Sequence, residues 1–226
     1  MAVRAKWIVA ALLSLTLYSC GGRQQAEEPK SESAAPPAPA PIDTRPVIVA
    51  FGDSLTAGYG VEPGKSYPDF LHRRLDAAGY KYHIVNLGVS GDTTTDGIQR
   101  LPDVLAAKPT LVILEFGGND GLRGLPVATT RANLTEMIQT FQKANIQILL
   151  AGMTLPRNYG SAYIHSFEQV YVDLASQFHL PAIPFLLDGV GGHPDLTQPD
   201  GIHPTAEGCK IVSANVMKYL EPIVKK

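Results

Sequence analysis

The chain has 226 residues, a net charge of −2 and no cluster of lysines or arginines, which argues against nucleic acid as a partner and against gathering substrate by bulk charge. With 45% apolar residues it can build one packed domain, yet the first 45 positions do not read as part of that core. Its two cysteines, Cys20 and Cys209, allow at most one disulfide, and none if Cys20 is consumed otherwise.

Residues 1–19 read as an export signal. Arg4 and Lys6 precede an apolar run over 7–17, which is too short to cross a hydrocarbon core of about 30 Å that takes about 20 residues. Leu17-Tyr18-Ser19-Cys20 closes the run and resembles the bacterial lipobox, which implies lipidation of Cys20. Two or more acyl chains anchor stably where one does not. The expectation is a protein lipid-anchored in the bacterial cell envelope, on a membrane and not through it. Residues 20–45 shift to Gln, Glu, Ser, Ala and Pro, including Ala34-Ala35-Pro36-Pro37-Ala38-Pro39-Ala40-Pro41. Such a stretch has too little apolar surface to offset ordering and reads as a disordered, extended tether. Cys209, among Gly208, Ile211 and Val212, reads as a small buried residue at helical spacing.

The folded domain is expected over 46–226. Apolar runs at 47–51, 82–87, 111–116, 146–151 and, more weakly, 182–185 predict five strands, and their near-continuous hydrophobicity is what a parallel sheet covered on both faces requires. Between them, 67–78, 94–107, 127–144 and 163–178 carry apolar residues at helical spacing, as in Leu134, Ile138 and Phe141. Pro204 suits the first turn of a last helix over 206–219. The fold class is α/β, a three-layer α/β/α sandwich, and ligands of such a sheet collect outside the carboxyl ends of its strands.

The polar residues lie there. The first strand ends in Gly52-Asp53-Ser54, the second in Gly88-Val89-Ser90-Gly91-Asp92, the third in Gly117-Gly118-Asn119-Asp120, and Asp200-Gly201-Ile202-His203-Pro204 precedes the last helix. A serine nucleophile needs a base and a group that fixes the base's tautomer. His203 with Asp200 three residues before it is the best pair; His193, near Asp195, is the rival. Gly91, the backbone N–H of Ser54 and the side-chain amide of Asn119 could converge on one oxyanion. Asp53 is expected to brace the serine loop through backbone N–H groups.

Gly52-Asp53-Ser54-Leu55, Gly91, Gly118-Asn119-Asp120 and Asp200-Gly201-Ile202-His203-Pro204 resemble, in order and spacing, the four blocks of the GDSL or SGNH hydrolases. The stretches 86–93 and 114–124 are similar to the bacterial thioesterase/lysophospholipase and arylesterase branch. The resemblance implies Ser54 as nucleophile, His203 as base, Asp200 as its orienter, Ser54, Gly91 and Asn119 as oxyanion donors, and a flavodoxin-like five-stranded parallel sheet of order 2-1-3-4-5. It also implies an acyl-ester, thioester or lysophospholipid substrate, no metal and no cofactor. In this branch the loop 154–160 borders the acyl site; Leu155, Tyr159 and Ile164 would line one wall and Leu122 and Leu125 the other. A monomer is expected. An envelope polysaccharide deacetylase would need a more polar cleft, and an inactive lipid-anchored binding protein would lack one of the five site residues.

Overall fold

Five parallel strands organise residues 43–226, the part that the computed structural model describes; the export signal, Cys20 and almost all of the tether lie outside the described residues. The strands are β1 (Val47–Gly52), β2 (His83–Gly88), β3 (Leu111–Glu115), β4 (Gln147–Ala151) and β5 (Ala182–Ile183), in the order β2-β1-β3-β4-β5. β1 lies at the switch point, with Gly52 level with Gly88 on one side and with Glu115 on the other. Three strand ends therefore open on one crevice.

β1 and β3 are buried almost throughout, as their unbroken apolar runs require. Ile48, Phe51, Ile113 and Leu114 have no exposed surface, and each such side chain contributes about 1.5–3 kcal/mol on leaving water. Phe51 meets Phe116 edge to face at 4.7 Å, joining the two central strands at their carboxyl ends. The helices supply the outer layers. Helix α2 (Tyr67–Ala77) packs on the last helix, while the helices Thr94–Gln99, Val127–Lys143 and Ser161–Phe178 pack in succession.

The 94–107 segment is two helices, α3 (Thr94–Gln99) and α4 (Leu101–Ala106). Pro102 explains the break, since a proline lacks the N–H and clashes with the preceding turn. β5 stops at Ile183 because Pro184 cannot continue the ladder. Pro204 precedes the last helix instead of opening it. Thr205 is the cap there, its hydroxyl accepting from Gly208 N at 3.2 Å, and the helix runs Ala206–Leu220. Two short helices, Ser54–Ala57 and Gly118–Leu122, have too few residues to show a period in sequence. In order, then, α1 is Ser54–Ala57, α5 Gly118–Leu122, α6 Val127–Lys143, α7 Ser161–Phe178 and α8 Ala206–Leu220. Cys209 is buried in α8, and burial pushes its thiol up to about 11, so it is held as an inert thiol.

Candidate active site

Ser54 is the first residue of α1, one residue beyond the end of β1, and the intervening Asp53 caps that helix by accepting from Leu55 N at 3.1 Å. Two glycines let the turn sit this deep. A Cβ on Gly88 would lie 2.1 Å from Ala57 N, and one on Gly52 would lie 2.3 Å from Glu115 Oε2. The serine is thus lodged between three strand ends and is only 8% exposed.

Ser54 Oγ lies 2.8 Å from His203 Nε2, and His203 Nδ1 lies 2.6 Å from Asp200 Oδ2. With the Nδ1–H held by a carboxylate, Nε2 is left to accept from the serine hydroxyl. Asp200 Oδ1 also accepts from Ile202 N and His203 N, at 2.9 and 3.0 Å, and Gly201 takes the positive φ of 72° that this turn needs. Partial burial works against the Asp200 charge, but the hydrogen bonds from His203 and Ile202 outweigh it and hold the carboxyl below its ordinary value. His193, by contrast, is exposed, and its carbonyl accepts from Leu196 N and Thr197 N.

Asn119, in α5, lines the same cavity as Ser54. Its Nδ2 donates to Asp92 O at 2.9 Å and to Asp53 Oδ2 at 3.1 Å, so the amide is held between the β2 and β1 loops. Gly91 has a φ of 90° and stands outside the cavity lining; Arg123 Nη2 donates to its carbonyl at 2.7 Å. Asp53 braces the serine turn as expected, but it has a neighbour that the sequence reading did not single out. Glu115 is fully buried at the end of β3, and its Oε2 accepts from Asp53 N at 3.1 Å and from the Thr56 hydroxyl at 2.8 Å. Among the described residues Glu115 Oε1 has no hydrogen-bond partner. Burial first, and then the Asp53 charge, pushes Glu115 well up, while burial takes Asp53 to about 6. The pair therefore holds its protons to higher pH than two free carboxyls would. The sequence signal was there: one acidic residue ends an otherwise apolar strand.

The cavity above Ser54 holds 380 Å³ and is walled by Leu122, Met153, Leu155, Phe185, Leu187 and Ile202. Leu122 and Leu155, named from the sequence as walls of an acyl site, both line it. Tyr159 reaches that wall indirectly, its hydroxyl donating to Leu122 O at 2.9 Å, and Tyr163 does the same for Leu125 O. Ile164 and Leu125 are outside the lining. Gly121 makes room for Leu155, since a Cβ there would lie 2.4 Å from Leu155 Cδ2. Met153, Phe185 and Leu187 escaped the sequence reading because the segments carrying them meet the site only through the fold.

The carboxylates at the strand ends are committed to protein partners. Asp92 pairs with Arg100 at 2.6 Å, and Asp120 accepts from Thr94 N at 2.8 Å and from its hydroxyl at 2.5 Å. Among the described residues no group of three His, Cys, Asp or Glu side chains is placed to hold a metal ion. The arrangement can pass a proton from a hydroxyl to an imidazole beside an apolar chamber, which is the chemistry of acyl transfer.

A model of the GDSL-like lipase/acylhydrolase family matches residues 50–211. The chain belongs to that family. Among curated members it is 41% identical over 178 residues to the esterase TesA of Pseudomonas aeruginosa, covering 78% of this chain and 89% of that one. It is 36% identical over 178 residues to thioesterase 1/protease 1/lysophospholipase L1 of Escherichia coli, covering 78% and 84%. The crystal structure of TesA superposes with a TM-score of 0.76 at 41% identity, spanning 79% of this chain and 99% of that one. The SGNH-hydrolase esterase AlinE4 gives 0.67 at 44% identity, spanning 80% and 98%. This GDSL-family chain is accordingly a carboxylic-ester hydrolase on an SGNH-hydrolase fold.

Proposed function

We propose that the chain cleaves acyl esters, thioesters or lysophospholipids through an acyl-enzyme on Ser54. His203 Nε2 takes the serine proton as Oγ attacks the carbonyl carbon, and gives it to the departing alcohol or thiol. A water activated by the same nitrogen then releases the acid and restores the serine. Asp200 holds the imidazole in the tautomer that this requires. Ser54 N–H, Gly91 N–H and the Asn119 amide receive the oxyanion, the amide exchanging its longer bond to Asp53 Oδ2 for that oxygen, and each such donor is worth about 10²–10³ in turnover. The relatives named esterase, thioesterase and lysophospholipase support the substrate class.

The observation that carries the reading is the hydrogen-bonded series from Ser54 Oγ through His203 to Asp200 at the floor of an apolar cavity. The same apolar walls favour an acyl chain over a polysaccharide. Ser54→Ala abolishes turnover of p-nitrophenyl and acyl-CoA esters and labelling by a fluorophosphonate; retained turnover refutes the assignment.

The same proposal places the enzyme in the bacterial envelope, lipid-anchored through Cys20 on the periplasmic or outer surface side. The support is the lipobox-like Leu17-Tyr18-Ser19-Cys20 and the polar, proline-rich segment after it. Intact mass of the mature chain tests this; a mature chain without acyl groups on Cys20 removes the anchor.

A further inference from the structure

Arg100 stands in the break between α3 and α4, 46 residues from Ser54 in sequence, with its side chain 19% exposed. Its guanidinium is spent on the ends of the strands that carry the site. Nη1 donates to Leu87 O in β2 at 2.8 Å, and Nη2 donates to Gly52 O, the last residue of β1, at 3.1 Å. Nε lies 2.6 Å from Asp92 Oδ2, as an ion pair and not a linear hydrogen bond, with the Asp92 side chain 14% exposed. The planar group also lies over Phe51 and Phe116, at 4.9 and 5.7 Å from their ring centres.

Each contact falls on a segment that presents an oxyanion donor. Gly52 O precedes Asp53-Ser54 and also accepts from Val89 N at 3.1 Å, so it ties the nucleophile turn to the turn that bears Gly91. Asp92 follows Gly91, and its carbonyl receives the Asn119 amide at 2.9 Å. The Asp92 side chain, held by Arg100, fixes where that carbonyl points. We propose that Arg100 is a positioning residue that sets the spacing of the three oxyanion donors, Ser54 N–H, Gly91 N–H and the Asn119 amide, a role that rests on the acyl-transfer reading above.

The chemistry favours arginine for the role. Only a rigid planar fork reaches two carbonyls and one carboxylate at fixed mutual angles, whereas a lysine ammonium is a single point of charge on a flexible stem. A misplacement of about 1 Å in such a constellation is enough to cost about 10²-fold.

The test compares Arg100→Met, Arg100→Lys and Asp92→Asn with the unaltered enzyme on a short acyl ester, each rate normalised to the serine sites that a fluorophosphonate titrates to completion. Expected are a 10–100-fold fall in kcat for Arg100→Met with KM within about twofold, slower phosphonylation of Ser54, and an unchanged kcat/KM pH profile. Asp92→Asn is expected to lose several-fold in kcat in the same pattern, and Arg100→Lys to recover less than half of the loss. Millimolar methylguanidinium restores part of the rate of Arg100→Met. A kcat per titrated site within twofold of the unaltered enzyme, a loss confined to KM, or full recovery in Arg100→Lys overturns the role. Should Arg100→Met not fold, Asp92→Asn carries the same criteria. Ser54→Ala in parallel separates the two ideas. An inactive Ser54→Ala beside an unimpaired Arg100→Met overturns the positioning role alone, whereas an active Ser54→Ala overturns both.

Discussion

The ring of Tyr59 lies against the imidazole of His203, 4.7 Å between centroids at 46°, although 53% of Tyr59 faces solvent. Gln198 holds the two segments together. Its Nε2 donates to Tyr59 O at 2.7 Å and to Pro204 O at 3.0 Å, and its backbone N–H donates to His203 O at 2.7 Å. Tyr59 therefore covers one face of the imidazole and limits its tilt. An aromatic contact of this kind is worth about 0.5–1.5 kcal/mol, so Tyr59→Ala is expected to lower kcat/KM roughly 2–10-fold. Tyr59→Phe keeps the ring and the activity. An equal loss in both variants would assign the effect to the hydroxyl.

Asp200 is 38% exposed in its side chain, and water can take over part of its work. Asp200→Asn should lower kcat by about 10²–10³, less than the 10⁴ of a fully enclosed triad acid, because the wrong tautomer of His203 is less strictly enforced. Steady-state kinetics at constant pH check this. A loss under threefold makes Asp200 a turn brace alone, through its bonds to Ile202 N and His203 N.

The Asp53–Glu115 pair makes stability depend on pH in a direction opposite to that of most carboxylates. Both pKa values are raised in the fold, Asp53 to about 6. Between the unfolded value of about 4 and the folded ones, the native state binds more protons than the unfolded chain, so stability is complete below about pH 4 for this pair and falls as pH rises. At about 1.4 kcal/mol per pH unit, the Asp53 shift alone corresponds to about 3 kcal/mol as an upper figure. Glu115→Gln keeps an acceptor for Asp53 N and Thr56 and removes one of the titrating groups. Thermal unfolding of this variant should decline less between pH 5 and 8 and end above the unaltered protein at pH 8. A parallel decline in both proteins shows that the slope arises elsewhere.

What the sequence revealed and what it withheld divide along physical lines. β1 and β3 were legible because a strand buried on both faces must be apolar without interruption, and Gly52-Asp53-Ser54 and Asn119 were legible because they follow such runs directly. The 200–203 turn was legible for a local reason, since a carboxylate three residues before a histidine can reach its ring within one turn. Tyr59, Gln198, Arg100 and Phe185 were not. Their work lies in contacts between segments, such as Gln198 bridging to a carbonyl 139 positions away, and no local pattern marks them. The expected start of the last helix at Ala206 agrees with the structure, whereas the role given to Pro204 does not: it obeys a helix-start preference, but the neighbouring Thr205 supplies the cap, with its N–H donating to Leu196 O.

Selectivity for acyl length should respond to Leu155 before Tyr159, because only Leu155 lines the cavity. Leu155→Ala removes three carbons from the wall. At about 0.8 kcal/mol per methylene buried against it, kcat/KM on octanoyl or decanoyl esters is expected to fall by about tenfold or more, while acetyl esters lose little. Tyr159→Phe releases Leu122 O from its hydrogen bond and is expected to cost only a few-fold, on long esters alone. Gly121→Ala acts from the other side. Its new methyl would stand 2.4 Å from Leu155 Cδ2, so Leu155 is driven into the cavity and the optimum moves to shorter chains. A p-nitrophenyl series from acetyl to dodecanoyl, normalised by fluorophosphonate titration to discount loss of folded protein, separates these outcomes. Equal losses across the series in Leu155→Ala, or an unmoved optimum in Gly121→Ala, would place the acyl chain outside this cavity.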